Sequence, residues 1–263
     1  MPRFSANLTM LYGEFDFLDR FGAAAEDGFR GVEYMFPYDW PAEVLAERLH
    51  VHGLEQVLFN LPAGDWQAGD RGIACDPGRR GEFADGVGRA LEYARILGCR
   101  RLNCLVGRAP EGVPRLVVET TLVDNLRFAA DRLAEAGLDL LVEAVNSRDV
   151  PGFYLDTAAR VMEVLAAVDR PNVHLQYDIY HQQVMRGDLA ETFRRHRDRI
   201  AHVQIADHPG RHEPGTGEIR FDFLFDLLDR EGYEGWVGLE YRPRAGTRAG
   251  LGWLRAHRRG EER

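Results

Sequence analysis

Residues 173–206 read VHLQYDIYHQQVMRGDLAETFRRHRDRIAHVQIA, and this stretch shows the repeating unit of the chain. An apolar run opens it and ends in Asp178, residues 188–199 have the pattern of a helix, and a second apolar run occupies 200–206. Short apolar runs bounded by polar segments are typical of buried strands, and a helix between two of them predicts parallel pairing with a right-handed crossover. The stretch therefore predicts a βαβ unit.

The same alternation of strand and helix extends along the chain without a break in composition. Strand-like runs lie at 5–11, 31–36, 54–59, 101–106, 138–144, 173–178, 200–206 and 236–241, and helix-like segments at 16–28, 41–50, 77–98, 116–136, 156–169, 188–199 and 222–231. Eight such units favour a closed barrel over an open sheet, and roughly 250 residues is the usual size of a (β/α)8 barrel. We therefore predict an α/β protein with one domain over residues 1–263, a single (β/α)8 TIM barrel in which 249–263 form a C-terminal helix and a solvated tail.

The charge of the chain restricts its partners. The formal net charge is -9, from 42 acidic and 33 basic side chains. Binding to nucleic acid or to an anionic membrane depends on basic side chains that displace counterions, so neither is an expected partner. A small-molecule substrate is the better prediction, and the sequence leaves homo-oligomer formation open.

The residue types present exclude several chemistries and indicate a compartment. All 33 basic residues are arginine, and without a lysine amine the chain is not a Schiff-base aldolase, a pyridoxal-phosphate enzyme or a protein with a Walker-type loop. The 3 cysteines are odd in number and lie in or near helix and strand patterns, which predicts buried thiols rather than a disulfide framework. With no run of roughly 18 apolar residues, the expected location is the cytoplasm.

Four polar side chains occupy matching places in four successive apolar runs. They are Glu143 in LLVE, Asp178 in LQYD, Gln204 in HVQ and Glu240 in VGLE. A carboxylate or amide at the end of a buried strand is costly unless it binds something, and in a TIM barrel these strand ends form the active-site face. Any one of them alone could be a helix cap or a satisfied core residue, but the set of four predicts a divalent-metal site. An all-oxygen shell favours Mg²⁺ or Mn²⁺ over zinc.

Candidate substrate contacts follow two of these strands. His181 lies three residues after Asp178, where the chain is expected to enter a loop over the site. After the seventh strand runs the glycine-rich loop ADHPGRHEPGTGEI, 206–219, which contains Arg211 and Glu218. An arginine in a loop that covers the substrate offers two parallel hydrogen bonds to a carboxylate. We therefore predict that His181, Arg211 and Glu218 contact the substrate.

The loop after the third strand is a further candidate wall of the pocket. It reads NLPAGDW over residues 60–66, with Asn60 and Trp66 at its two ends. Both are predicted to face the substrate, although a structured turn without a binding role explains the loop equally well.

Several of these motifs together resemble the hydroxypyruvate isomerase family of xylose isomerase-like barrels. They are NLTML, GVEYMFPYD, LFNLPAGDW, GFYLDT, LQYDIYH, HVQIADHPGRHEPGTGEI and GWVGLEYRP, spread over about residues 4 to 243. The resemblance implies a xylose isomerase-like TIM barrel with one metal on Glu143, Asp178, Gln204 and Glu240. It also implies that Glu143 and Glu240 are the catalytic acid/base pair. Close relatives act on 2-oxo-tetronates and others are ketose 3-epimerases, so both remain alternatives.

The implied reaction interconverts hydroxypyruvate and tartronate semialdehyde. A metal that binds both substrate oxygens would stabilise the enediolate, while one glutamate takes a proton from carbon and the other returns one. The substrate carboxylate needs a cation, for which Arg211 is the first choice and His181 the second. This chemistry predicts an isomerase that depends on Mg²⁺ or Mn²⁺.

Two rival classes are weaker. A metal-dependent endonuclease on a related barrel would need more histidines around several metals and a basic face for DNA, which the net charge of -9 disfavours. A sugar-acid-binding protein without catalysis could lose one of the two glutamates, but Glu143 and Glu240 are both present.

Overall fold

The computed structural model describes residues 2–258, in which eight parallel strands form a closed barrel. The strands are β1 (Arg3–Asn7), β2 (Gly31–Glu33), β3 (Glu55–Asn60), β4 (Arg101–Cys104), β5 (Asp139–Glu143), β6 (Val173–Asp178), β7 (Ile200–Ile205) and β8 (Trp236–Leu239). Neighbours in the barrel are neighbours in the sequence, and β8 pairs with β1 to close it. The prediction of a single (β/α)8 TIM barrel is confirmed.

Helices follow the strands and cover the barrel. They are α1 (Arg20–Glu26), α2 (Ala42–His52), α3 (Arg80–Leu97), α4 (Arg115–Ala134), α5 (Ala158–Val168), α6 (Ile179–Met185), α7 (Leu189–His196), α8 (Phe221–Arg230), α9 (Thr247–Gly250) and α10 (Leu254–Arg258). With helices outside and side chains inside, a parallel strand is buried on both faces. All residues of β8 and all but the first of β3 are accordingly buried.

The first strand is shorter than predicted, because the chain turns directly after Asn7. The backbone N–H groups of Met10 and Leu11 both donate to the carbonyl of Asn7, at 3.1 and 2.8 Å. The Leu8 N–H still donates to the carbonyl of Glu33 on β2 at 2.7 Å, but the following N–H groups bond back to Asn7, so residues 8–11 form a turn and not the end of a strand. The prediction of a strand over 5–11 is wrong at its C-terminal half.

The segment after β6 is a helix and not the predicted loop. The Asp178 side chain accepts a hydrogen bond from the backbone N–H of His181 at 3.0 Å and so caps α6. A side-chain acceptor at this position satisfies one of the free N–H groups of a helix start. His181 is therefore held in the first turn of a helix, directly over the end of β6.

The C-terminal segment packs on the barrel as far as it is described. Between α9 and α10, Trp253 stacks on Phe225 of α8 with ring centroids 5.7 Å apart. Within the segment predicted to form a C-terminal helix and tail, α10 spans Leu254–Arg258, and residues 259–263 lie outside the described residues. No helix within residues 2–258 is long and apolar enough to cross a membrane.

Candidate active site

Three carboxylates meet at the C-terminal end of the barrel. Glu143 and Asp178 are the last residues of β5 and β6, and Glu240 directly follows β8. The backbone N–H of Glu240 continues the ladder by donating to the carbonyl of Ile205 at 3.1 Å. Parallel strands in a closed barrel all end at one face, so three side chains far apart in sequence are brought to one point.

His181 completes this group. Ligand atoms of Glu143, Asp178, His181 and Glu240 all lie within 4.8 Å of one another, and all four residues are buried. His181 Nε2 is 3.8 Å from Glu143 Oε1 and 3.7 Å from Asp178 Oδ2. On its other side, His181 Nδ1 accepts from the backbone N–H of Asn146 at 3.2 Å. This bond fixes the ring with Nε2 facing the carboxylates.

The two glutamates are in an environment that opposes ionisation. Burial, followed by the charges of Glu240 and Asp178, raises the pKa of Glu143 well above its usual value. Burial also raises the pKa of Glu240, with contributions from Asp178 and Glu33, although the Arg211 guanidinium opposes the shift. Carboxyl groups with raised pKa values that face a cavity are typical of proton-transfer sites.

The group fits a divalent cation. Glu143 Oε1 is buried and has no hydrogen-bond partner among the described residues. Buried carboxylates without partners are costly, and a bound cation removes both the desolvation cost and the mutual repulsion. Carboxylate oxygens are also the ligands that Mg²⁺ and Mn²⁺ prefer. The donor set therefore suits the metal predicted from the sequence.

Gln204, the fourth predicted ligand, lies next to this group on β7. It pairs with Asp178 across the β6–β7 ladder, and its Oε1 accepts a hydrogen bond from Gln176 at 2.6 Å. Its Nε2 donates to Glu33 Oε1 at 2.8 Å. The assignment of Gln204 as a metal ligand stays a prediction, and His181 Nε2 is a further donor atom at the same place.

Glu33 anchors a buried polar network below the site. Its two carboxylate oxygens accept from Ser5 Oγ at 2.9 Å, Asn7 Nδ2 at 3.1 Å, His202 Nε2 at 2.8 Å and Gln204 Nε2 at 2.8 Å. Burial alone would raise the pKa of Glu33, but the charge and hydrogen bond of His202, with bonds from Gln204 and Asn7, hold it below its usual value. A carboxylate can only accept, so it fixes the amide of Gln204 with the nitrogen towards Glu33.

Substitution of Glu33 by glutamine is expected to destabilise the fold by about 3 kcal/mol or more, because an amide NH₂ would face donors that need an acceptor. Urea unfolding measures the loss. Glu47→Gln, at an exposed position of α2, is the matched control and should change stability by no more than about 0.5 kcal/mol. Equal unfolding midpoints for Glu33→Gln and Glu47→Gln would contradict the role given to this network.

A cavity of about 510 Å³ opens above the carboxylates. Its lining residues are Thr9, Met10, Met35, Asn60, Trp66, Arg71, Leu105, Glu143, Val145, Asp149, Val150, Phe153, His181, Arg211, Glu240 and Arg242. The predicted contacts Asn60, Trp66, His181 and Arg211 are therefore brought together around one cavity. Asn103 joins two parts of the wall, since its Nδ2 donates to Asn60 Oδ1 at 3.1 Å and to Glu143 Oε2 at 3.3 Å.

The two charged residues of the loop after β7 that were predicted to contact the substrate lie in different parts of the structure. Arg211 Nη2 is 2.7 Å from Glu240 Oε2 and 4.0 Å from Asp178 Oδ2, so its guanidinium already has carboxylate partners in the protein. Glu218 lies outside the cavity, in a separate groove beside Gln183, whose Nε2 donates to it at 3.0 Å. The structure thus does not bring Glu218 together with the other predicted contacts.

Sequence reasoning missed several residues of the site, among them Glu33, Arg71 and Arg242. Glu33 ends β2 and carries the same signal as Glu143, a carboxylate at the end of a strand, so the same rule would have found it. Arg71 and Arg242 carry no such signal, because they are two of 33 basic residues and lie in connections after strands. Only the shape of the cavity distinguishes them.

Comparison with known proteins identifies the family of this chain. The family model of the xylose isomerase-like TIM barrel matches residues 21–257. Hydroxypyruvate isomerase of Escherichia coli (strain K12) is 52% identical over 258 residues, which cover 98% of this chain and 100% of that protein. The chain belongs to the hydroxypyruvate isomerase family of xylose isomerase-like TIM barrels. It is an isomerase.

A second relative and two solved structures show how far the similarity extends. A 2-oxo-tetronate isomerase of Cupriavidus necator is 48% identical, with 98% of this chain and 99% of that protein covered. A crystal structure from Brucella melitensis described as AP endonuclease, family 2, superposes with a TM-score of 0.95 at 47% identity and covers 98% of this chain and 99% of that one. The 3-keto-D-glucoside 4-epimerase of E. coli shares the fold, with a TM-score of 0.81 at 23% identity. The superposition covers 97% of this chain and 99% of that one.

Proposed function

We propose that this protein interconverts hydroxypyruvate and tartronate semialdehyde by proton transfer between Glu143 and Glu240, with Mg²⁺ or Mn²⁺ as cofactor. The observation that carries the proposal is a pair of buried carboxyl groups with raised pKa values, both lining one cavity. The names of relatives at 52% and 48% identity support a small keto acid as the substrate class.

The reaction moves one proton between adjacent carbons. One glutamate removes a proton from C3 of hydroxypyruvate, which leaves an enediolate, and the other delivers a proton to C2. The hydroxyl proton on the C3 oxygen passes to the C2 oxygen, so that C3 becomes the aldehyde and C2 carries the hydroxyl group. Positioned acid/base groups of this kind contribute typically about 10² to 10⁴-fold to the rate. Glu143, Asp178, Gln204 and Glu240 would hold the metal, which when bound supplies positive charge for the developing enediolate.

The surroundings of the two glutamates give each a fixed orientation. Asn103 donates to Glu143 Oε2 at 3.3 Å and so fixes the orientation of that carboxyl group. Arg211 donates to Glu240 Oε2 at 2.7 Å and holds that carboxyl group in place against the end of β8. The two groups thus approach the cavity from β5 and β8, which fits proton removal by one and proton return by the other.

The number of carbon atoms in the substrate acid has an alternative, because relatives are named for acids of different length. A cavity of about 510 Å³ has room for the four-carbon 2-oxo-tetronates as well as for a three-carbon acid, and several relatives carry the name 2-oxo-tetronate isomerase. A ketose 3-epimerase is the other alternative. The structural likeness to such epimerases is at 24% identity or below and shows the fold alone.

Isomerisation in D₂O tests the mechanism and the substrate together. Hydroxypyruvate or a 2-oxo-tetronate should take up solvent deuterium at carbon, because a glutamate exchanges its proton with water, whereas a hydride shift carries hydrogen directly. Mass spectrometry of the product measures the uptake. We also expect kcat/KM for the acid to exceed that for a neutral ketose by about tenfold or more, since charged hydrogen bonds to a carboxylate are lost with the ketose.

Three results would contradict the proposal. Product without deuterium would exclude proton transfer through the glutamates, and equal kcat/KM for a neutral ketose and the matching acid would favour the epimerase alternative. Cleavage of DNA at AP sites would favour the endonuclease class. That class has little support, because the one cluster of metal-capable residues found within residues 2–258 contains a single histidine.

The remaining expectations about partners and location are part of the same proposal. A net charge of -9 disfavours nucleic acid and anionic membranes as partners and leaves a small-molecule substrate, and homo-oligomer formation stays open to sedimentation analysis. Cys75, Cys99 and Cys104 are buried free thiols, which supports the reducing cytoplasm as the compartment.

A further inference from the structure

Three arginines line the cavity, and they differ in how many of their guanidinium N–H groups already have partners. They belong to Arg71, Arg211 and Arg242. The substrate of the proposed reaction carries a carboxylate at the end remote from the proton transfer, and this group needs a cation. Arg211 is bound to Glu240 at 2.7 Å and lies 4.0 Å from Asp178. It therefore serves the carboxylates of the protein.

Arg71 is held rigidly with one edge free. Its Nη1 donates to the carbonyl oxygens of Trp66 at 3.1 Å and Asp70 at 2.6 Å, and its guanidinium carbon lies 4.1 Å from the centroid of the Trp66 ring. Within residues 2–258 the Nε and Nη2 atoms have no hydrogen-bond or ion-pair partner. Nε and Nη2 form the edge with which arginine binds a carboxylate through two parallel hydrogen bonds.

Arg242 is less prepared for this role. Its backbone is fixed, because its N–H donates to the carbonyl of Arg211 at 2.8 Å and its carbonyl oxygen pairs with His212 Nδ1 at 2.7 Å. Its side chain is exposed and has no stacking partner among the described residues. Ordering an exposed arginine side chain on binding costs roughly 0.5–1.5 kcal/mol, a cost that Arg71 does not incur because it is already ordered.

We propose that Arg71 binds the substrate carboxylate through its Nε–Nη2 edge and so determines the preference of this cavity for acids. For the identity of the ligand, the inference rests on the proposed function. A carboxylate placed at Arg71 leaves the hydroxyl and carbonyl carbons to lie towards Glu143 and Glu240. The reverse orientation would leave the Nε–Nη2 edge of Arg71 without a carboxylate partner and would place the carboxylate, rather than the reacting carbons, next to Glu143 and Glu240.

Binding of glycerate tests the inference without turnover. Glycerate has the carboxylate and hydroxyl groups of the substrate but no carbonyl, so it binds without being isomerised. Calorimetry on the Mn²⁺-loaded protein should show that Arg71→Gln weakens glycerate binding by about tenfold or more, because a charge-assisted pair of hydrogen bonds is lost. Arg71→Lys keeps the charge but not the planar fork and should recover part of the affinity.

Arg244→Gln is the matched control. It removes the same charge from an exposed position two residues beyond Arg242, outside the cavity lining, and should bind glycerate as the parent protein does. With hydroxypyruvate, Arg71→Gln should raise KM by about tenfold or more with little change in kcat, as loss of uniform binding does. Near-ultraviolet circular dichroism of each variant confirms that the loop and its Trp66 remain folded.

The outcomes separate this inference from the proposed function. Equal glycerate affinity for Arg71→Gln and Arg244→Gln, or no glycerate binding by the parent protein, would overturn the role of Arg71 even if the protein isomerises hydroxypyruvate. A larger loss in Arg242→Gln than in Arg71→Gln would also overturn it. Conversely, the parent protein could fail to isomerise hydroxypyruvate while Arg71→Gln still weakens glycerate binding. That result would support the carboxylate site at Arg71 and refute only the proposed reaction.

Discussion

Replacement of Glu143 or Glu240 by glutamine is expected to lower kcat by about 10²-fold or more, because each change removes a proton acceptor while keeping the shape of the side chain and one oxygen ligand. Steady-state kinetics with hydroxypyruvate measure the loss, and the metal content of each variant must be determined beside it. The expected pattern is a metal-loaded protein that binds the acid and turns it over slowly.

Glu234→Gln is the control for this pair. Glu234 is exposed just before the first residue of β8, at the end of the strand opposite to Glu240, so its loss should leave kcat unchanged. Near-native turnover by Glu143→Gln or Glu240→Gln with the metal still bound would show that the residue is only a ligand. The paired acid/base roles would then be wrong.

Folding should survive both substitutions. Burial raises the pKa of Glu143 and of Glu240 in the folded protein, so each folded carboxyl group holds its proton more tightly than the unfolded chain does. The contribution of these two groups to the free energy of unfolding is therefore present below the usual carboxyl pKa, and it is lost as the pH rises towards the raised pKa of the folded protein. At neutral pH the neutral amide should not destabilise the metal-free protein, which separates a catalytic loss from a folding defect.

Removal of divalent metal by a chelator is expected to abolish activity, and Mn²⁺ or Mg²⁺ should restore it. Without a cation, the buried carboxyl groups of Glu143, Asp178 and Glu240 lie together with no ion between them, and nothing offsets the charge that develops on the substrate. Added Mn²⁺ should also raise the midpoint of thermal unfolding, since a ligand at about 100 times its Kd stabilises the native state by about 2.7 kcal/mol.

The thermal measurement is the readout that does not depend on turnover. Asp178→Asn should reduce the shift in unfolding temperature caused by Mn²⁺, whereas Asp198→Asn, at a position where the side chain is 94% exposed, should leave it intact. Full activity in protein shown by elemental analysis to be free of metal would refute the dependence on a cation.

Much of the fold follows from local patterns in the sequence. Alternating apolar runs and helix-like segments report the burial of each element, and eight such units in about 250 residues favour a closed barrel. The ends of the elements are less well determined. Residues 8–11 are apolar enough for a strand but turn back onto Asn7, and the helix that holds His181 depends on a cap from Asp178.

The sequence by itself determined the barrel and three of the carboxylates that meet at its C-terminal end, because strand periodicity places Glu143, Asp178 and Glu240 at strand ends and the closed barrel brings these ends together. Only the tertiary structure decided how the charges pair. Arg211 lies against Glu240, and Arg71 lies on Trp66 with one edge free. Burial periodicity is a local property that each segment carries alone, whereas the partner of a loop arginine depends on which distant side chains the closed barrel brings within reach.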